Sequence, residues 1–240
     1  MRCSEISTTE VAKMNNPATI RTKALVLRRT NYGEADRILN ILTPEGKMAV
    51  LAKGVRREKS RLAGGIEMFC LSEVVVHRGR GELMILTAAK SLKFYRNLLK
   101  DYERMEAAAE MLKKMDKASE AVSDERQFNI LQQALLALDD GANLVLAKAW
   151  FYLNLAAAMG EQINLYTDID GVKLEKGEHY KWNTMEKVLE KNERGVISTD
   201  TIKMLRLMLS ADLALCLKVK LPDEGICGDA LFIAESLNVI

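Results

Sequence analysis

Residues 69–88, FCLSEVVVHRGRGELMILTA, carry the clearest β-strand signal in the chain. The valine triplet 74–76 is β-branched and favours a strand, and the glycine-containing stretch 78–81 is typical of a tight turn between two strands. We therefore predict a β-hairpin formed by residues 69–77 and 82–88.

Three more short apolar runs precede this hairpin. They are Lys23–Arg29, Arg37–Leu42 and Lys47–Lys53, and the last two are joined by Thr43-Pro44-Glu45-Gly46, which has the proline and glycine positions of a β-turn. Five strands in about 70 residues leave no room for crossover helices. This count predicts a small antiparallel OB-type β-barrel over residues 20–90, and an SH3-like barrel fits it less well.

The period of the apolar residues changes after about residue 92. Helices are predicted at 98–115, 127–138, 142–159, 199–218 and 223–237. The segment 199–218 is apolar nearly all round, so we expect it to be the central buried helix. The predicted class is α+β: a flexible N-terminal extension (1–19), the barrel (20–90) and an all-helical domain (91–240) with an irregular insert at 161–198.

Composition and missing motifs exclude several classes of protein. The four cysteines, at positions 3, 70, 216 and 227, form no CxxC pair, which argues for a reducing compartment and against a disulfide framework. No secretory signal or apolar run of about 20 residues is present, so we expect a cytoplasmic protein without a membrane segment. The P-loop, GxSxG, HExxH and kinase motifs are absent, so we expect neither an enzyme nor a cofactor.

The small net charge of +2 hides a strong asymmetry. Residues 20–97 hold 16 Lys and Arg against 7 Asp and Glu, a net charge of +9, whereas residues 98–240 have a net charge of −7. A basic module of this kind suits a polyanion such as nucleic acid. The alternative is that the two halves neutralise each other.

The residues 53–61, KGVRREKSR, form the most strongly basic stretch, with five basic residues and one acidic residue. Arg and Lys make charge-assisted contacts to phosphates, and the flanking glycines allow a backbone to approach closely. The alternative is a solvated surface loop. Tyr32 is the better candidate for base stacking, and Phe69 is expected in the core. The candidate nucleic-acid-binding residues are Arg28, Arg37, Lys53, Arg56, Arg57, Lys59, Arg61, Arg78 and Arg80.

Four segments in this order resemble the RecO family of bacterial recombination mediators. They are KALVL (23–27), YGEADRIL (32–39), LTPEGK (42–47) and AKGVRREKSRLAG (52–64). The resemblance implies an OB domain packed on a helical domain, binding of single- and double-stranded DNA, and annealing of complementary strands. It also implies partnership with RecR and single-strand-binding protein in loading RecA.

The sequence departs from this family at the expected zinc site. Many RecO proteins carry a four-cysteine zinc site, but TDIDG (167–171) stands where the first CxxCG is expected, and no second pair follows. We therefore predict no zinc. Two other functions remain open: an OB-fold RNA-binding module, and an adaptor whose basic face binds acidic protein tails.

Overall fold

The computed structural model describes residues 19–78, 83–121, 124–161, 163–223 and 225–237. The strands are β1 (Thr19–Tyr32), β2 (Asp36–Thr43), β3 (Gly46–Ala52), β4 (Cys70–Arg78), β5 (Met84–Phe94), β6 (His179–Asn183), β7 (Val188–Lys191) and β8 (Ile197–Ser198). The helices are α1 (Tyr102–Ala121), α2 (Glu125–Asp139), α3 (Leu144–Ala158), α4 (Thr199–Ser210), α5 (Leu213–Cys216) and α6 (Gly225–Ser236). Two 3-10 helices cover Ala63–Gly65 and Arg96–Lys100. The predicted N-terminal extension lies outside the described residues except for Thr19, which begins β1.

The first five strands close into a barrel in the order β1-β2-β3-β5-β4. The long β1 makes closure possible because its first half pairs with β4 and its second half pairs with β2. All these pairs are antiparallel except β3 with β5, which run parallel over two residue pairs. This is the topology of an OB-type barrel, followed along the chain by helices. The predicted α+β class with an N-terminal OB-type barrel is confirmed.

The apolar run in β1 is continuous because both faces of this strand are buried. Ala24 and Val26 point into the barrel interior, whereas Leu25 and Leu27 belong to the same apolar cluster as the helices. Successive side chains of a strand point to opposite faces, so one strand serves both cores. The barrel therefore packs directly on the helical part, and β5 continues four residues beyond the predicted boundary at residue 90.

The centre of the helical part is α3, and the prediction of one central helix over 199–218 is wrong. Residues 149–156 of α3 are all buried. The segment 199–218 instead forms two helices, α4 and α5, with the chain extended at Ala211 between them. Gln133 of α2 stabilises the break between α4 and α5, because its side-chain oxygen accepts the Leu213 N–H at 3.1 Å. Among the described residues, no helix is long and apolar enough to span a bilayer.

The segment predicted as an irregular insert contains a three-stranded sheet of order β7-β6-β8, so this domain is not all-helical. Tyr180 and Trp182 of β6 are buried while Lys181 between them is exposed. This period of two covers only five residues, which is why the sequence pattern is weak. The indole N–H of Trp182 donates to Ser236 Oγ of α6 at 2.7 Å, which ties the sheet to the helices.

Candidate nucleic-acid interface

Two connections meet at one end of the barrel. Tyr32 at the end of β1 pairs with Asp36 at the start of β2, and Arg37 pairs with Ala52 at the end of β3. The β1–β2 turn and the loop after β3 therefore lie together, and we call this region the basic end. Arg78 at the end of β4 pairs with Met84, the residue of β5 that pairs with Val50 of β3. In OB folds the β2–β3 face and the β1–β2 and β4–β5 loops bind oligonucleotides.

The basic loop (residues 53–61) is held by apolar residues on either side of its charges. Val55 and Ile66 are buried in the barrel interior, so the loop is fixed before and after the exposed residues 56–59. Gly54 has a φ of +62°, a conformation that L side chains rarely adopt. The loop then makes two consecutive turns, with the Arg57 N–H donating to Gly54 O and the Ser60 N–H donating to Arg57 O.

Hydrogen bonds join the basic loop to the β1–β2 turn. The Gly54 N–H donates to Asp36 Oδ1 at 2.6 Å, and the Arg56 N–H donates to Ala35 O at 2.9 Å. The Arg56 guanidinium also reaches Gly33 O at 3.4 Å. Sequence reasoning did not single out Asp36. The available signal was an aspartate that opens a strand beside a glycine-containing turn, where such side chains often accept backbone N–H groups.

Most of the predicted DNA-binding residues are exposed and have no carboxylate partner among the described residues. Lys53, Arg56, Arg57, Lys59, Arg61 and Arg78 are exposed, and Arg37 is half-buried. None of these seven forms an ion pair with any residue that the structure describes. Arg37 donates from Nε to the neutral Asn31 Oδ1 at 3.2 Å. Arg80 lies outside the described residues. Exposed cations without carboxylate partners can bind phosphates without first breaking an ion pair.

The structure places Arg28 apart from these residues. Its Nε lies 3.2 Å from Asp116 Oδ2 of α1, at the junction between the barrel and the helices. Lys47 at the start of β3 reaches the same carboxylate at 2.7 Å, and Asn40 donates to it at 3.0 Å. Arg28 is four residues before Tyr32 in β1, which corresponds to about 13 Å along a strand.

A second set of contacts at this junction involves Asp139 at the end of α2. It accepts the Asn97 N–H at 2.8 Å and lies 3.7 Å from Lys93 Nζ. Lys93 also lies over the ring of Tyr95, 5.5 Å from its centroid. Burial raises the pKa of Tyr95, and the nearby carboxylate of Asp139 raises it further. This phenol therefore stays neutral as part of the packed junction.

The two aromatic residues singled out in the barrel differ as expected. Tyr32 is 55% exposed beside Gly33 at the basic end, whereas Phe69 is buried. A base could therefore stack on the Tyr32 ring beside the cations.

The residues at the expected zinc position do not fit a thiolate site. In 167–171 the side chain of Asp168 accepts the N–H groups of Asp170 and Val172 at 3.1 and 2.8 Å. Asn164 similarly accepts the Thr167 N–H at 3.1 Å, and the described residues contain no group of three or more potential ligands. Short side-chain-to-backbone hydrogen bonds thus hold this turn.

Comparison with known proteins agrees with this architecture. Residues 14–95 match the family model described as "Recombination protein O N terminal", and residues 99–226 match "Recombination protein O C terminal". Similar relatives are the "DNA repair protein RecO" of Roseiflexus sp. (39% identical over 147 residues, 61% of this chain) and that of Rubrobacter xylanophilus (39% over 145 residues, 60%). The chain covers 52% and 58% of the lengths of these two relatives. Because the second family model spans more than half of it, the chain belongs to the RecO family of DNA repair proteins.

Proposed function

We propose that this chain is a non-enzymatic recombination mediator that binds single- and double-stranded DNA through the basic end of its barrel. The observation that carries the proposal is the set of exposed cations without carboxylate partners among the described residues, on a barrel of OB type. The β1–β2 turn adds Tyr32 as an exposed ring for stacking. This combination of cations and an aromatic surface is typical of single-strand binding.

Annealing follows from the same charges. Two complementary strands repel each other through their phosphates, and a basic surface that neutralises phosphates lowers this repulsion and raises the local strand concentration. Such a step needs no nucleotide hydrolysis. Membership of the family supports RecR and single-strand-binding protein as partners and RecA as the protein that is loaded. Work on chromosomal DNA implies a cytoplasmic location.

Fluorescence anisotropy of a labelled single strand between about 50 and 200 mM salt tests the proposal, together with an annealing assay on complementary strands. We expect affinity to fall steeply with salt and annealing to accelerate. No binding at low salt would contradict the proposal and favour an adaptor for acidic proteins. Competition with a matched RNA separates DNA binding from RNA binding, since a reader of the 2′-hydroxyl prefers RNA.

The double variant Arg56→Ala/Arg57→Ala locates the interface. If both residues contact phosphates, the slope of log K against log salt falls in magnitude by about 1.4 on single strands. The control is Arg194→Ala/Lys203→Ala, which removes the same charge from exposed positions in the β7–β8 connection and in α4. An equal loss in both variants would mean that net charge alone governs binding. An unchanged slope in Arg56→Ala/Arg57→Ala would mean that neither arginine contacts phosphate.

A further inference from the structure

We infer that Asp36 is a positioning residue that sets the shape of the DNA-binding loop, an inference that rests on the proposed function. Its carboxylate belongs to a strand whose backbone is fixed by pairing with Tyr32. From this fixed place, Oδ1 accepts the Gly54 N–H at 2.6 Å, at the point where the chain leaves β3. A charge-assisted bond of this kind is stronger than one between neutral groups.

The contact determines where the guanidinium groups lie. Gly54 turns the chain through its left-handed conformation, and the next backbone bond, from Arg56 N–H to Ala35 O, keeps the loop against the β1–β2 turn. The Arg57 side chain lies over Gly54, within 3.7 Å of the place that a Cβ would occupy there. Arg56, Arg57 and Tyr32 therefore form one surface, and the Asp36 carboxylate is a fixed link between its two loops.

A carboxylate in this place has two opposite effects on DNA binding. Its negative charge repels phosphate, so charge alone predicts tighter binding when it is removed. Its hydrogen bond holds the loop in position, so geometry predicts weaker binding when the acceptor is removed. The neighbouring Glu34 has the same charge in the same turn and is exposed, and the structure gives it no hydrogen bond or ion pair with the described residues. Asp36 and Glu34 therefore have the same charge in the same turn, but only Asp36 holds the loop, so a comparison of their variants separates the effect of charge from that of geometry.

The test compares Asp36→Ala, Asp36→Asn and Glu34→Ala by anisotropy with single-stranded DNA across salt. Asp36→Ala is expected to bind at least about tenfold more weakly, the effect of losing one hydrogen bond to a charged group. Its salt slope should fall in magnitude by about 0.7 to 1.4 as phosphate contacts are lost. Asp36→Asn keeps an oxygen that can accept the Gly54 N–H, so it should bind at least as tightly as the wild type, and so should Glu34→Ala.

Gly54→Ala is the second variant, because it disturbs the same loop without changing any charge. At a φ of +62° an alanine is strained, so we expect weaker binding and a lower slope in the folded protein. This variant decides the matter if Asp36→Ala does not fold. If Asp36→Ala, or a folded Gly54→Ala, bound DNA as tightly as the wild type, the inference about Asp36 would be wrong, whereas the proposed function would stand. A wild-type chain that binds no DNA would overturn the proposed function and the inference with it.

Discussion

The basic end and the junction of the barrel use the same residue types in opposite ways. At the junction, Lys47 and Arg28 converge on the carboxylate of Asp116, and the side chains of Lys47 and Asp116 are 13% and 12% exposed. At the basic end, Lys53, Arg56 and Arg57 are exposed and meet no carboxylate among the described residues. A basic residue in the sequence therefore identifies a ligand-binding cation only when the fold leaves it unpaired. The variants below test this difference, from the largest expected effect to the smallest.

Removal of the junction carboxylate should have the largest effect. Asp116→Ala removes a carboxylate that lies 2.7 Å from the nearly buried Lys47 ammonium and keeps Glu120 at 3.5 Å, so we expect the free energy of unfolding to fall by about 3 kcal/mol. Urea unfolding measures this loss. Under conditions in which Asp116→Ala is folded, the slope of log K against log salt for DNA binding should equal that of the wild type, because this variant leaves the basic end unchanged.

Arg28→Ala is the control at the same carboxylate. The Arg28 side chain is 61% exposed, so its loss should cost less than about 1 kcal/mol of stability. This variant also tests the sequence prediction that Arg28 binds DNA, since a phosphate contact would add about 0.7 to the slope on single strands. A large destabilisation by Arg28→Ala with little effect of Asp116→Ala would reverse our assignment of which residue holds the junction.

The sequence predicted the barrel well because its strands are local patterns of apolar residues and turns. It could not predict the partner of Arg28, since Asp116 is 88 positions further along the chain and is joined to it only by packing. The break between α4 and α5 was missed for a similar reason, because the side chain that stabilises it, Gln133, comes from another helix. In the candidate interface, residue types were predictable, whereas the link through Asp36 depends on the register of β1 and β2.

A substitution at Gly65 tests how closely the chain packs against the barrel just after the basic loop. A Cβ on Gly65 would lie 2.5 Å from the backbone carbon of Ala89 in β5, so Gly65→Ala should cost about 2 kcal/mol of stability. Gly64→Ala is the matched control, because no atom lies within 4 Å of its added Cβ. Thermal unfolding of the two variants measures the difference, and equal stability would show that the loop base is not closely packed.

Tyr32 separates stacking from charge at the basic end. Tyr32→Ala should weaken single-strand binding by about 1 kcal/mol, at the low end for one stacked base, while the salt slope stays unchanged. Tyr32→Phe should bind like the wild type, because the ring remains. The control is Tyr102→Ala, which removes a 71% exposed ring from α1. A fall in slope for Tyr32→Ala, or the same loss from Tyr102→Ala, would contradict a stacking role for Tyr32.

Metal removal should have the smallest effect. The turn at 167–171 resembles the basic loop in one respect: an aspartate side chain accepts backbone N–H groups and fixes the chain, here through Asp168. A turn held by its own carboxylate needs no ion, so a chelator should leave the melting temperature unchanged and the purified protein should contain no stoichiometric zinc. If zinc copurified in a one-to-one ratio and its removal lowered the melting temperature, the ligands would have to include other side chains, and the prediction of a zinc-free protein would be wrong.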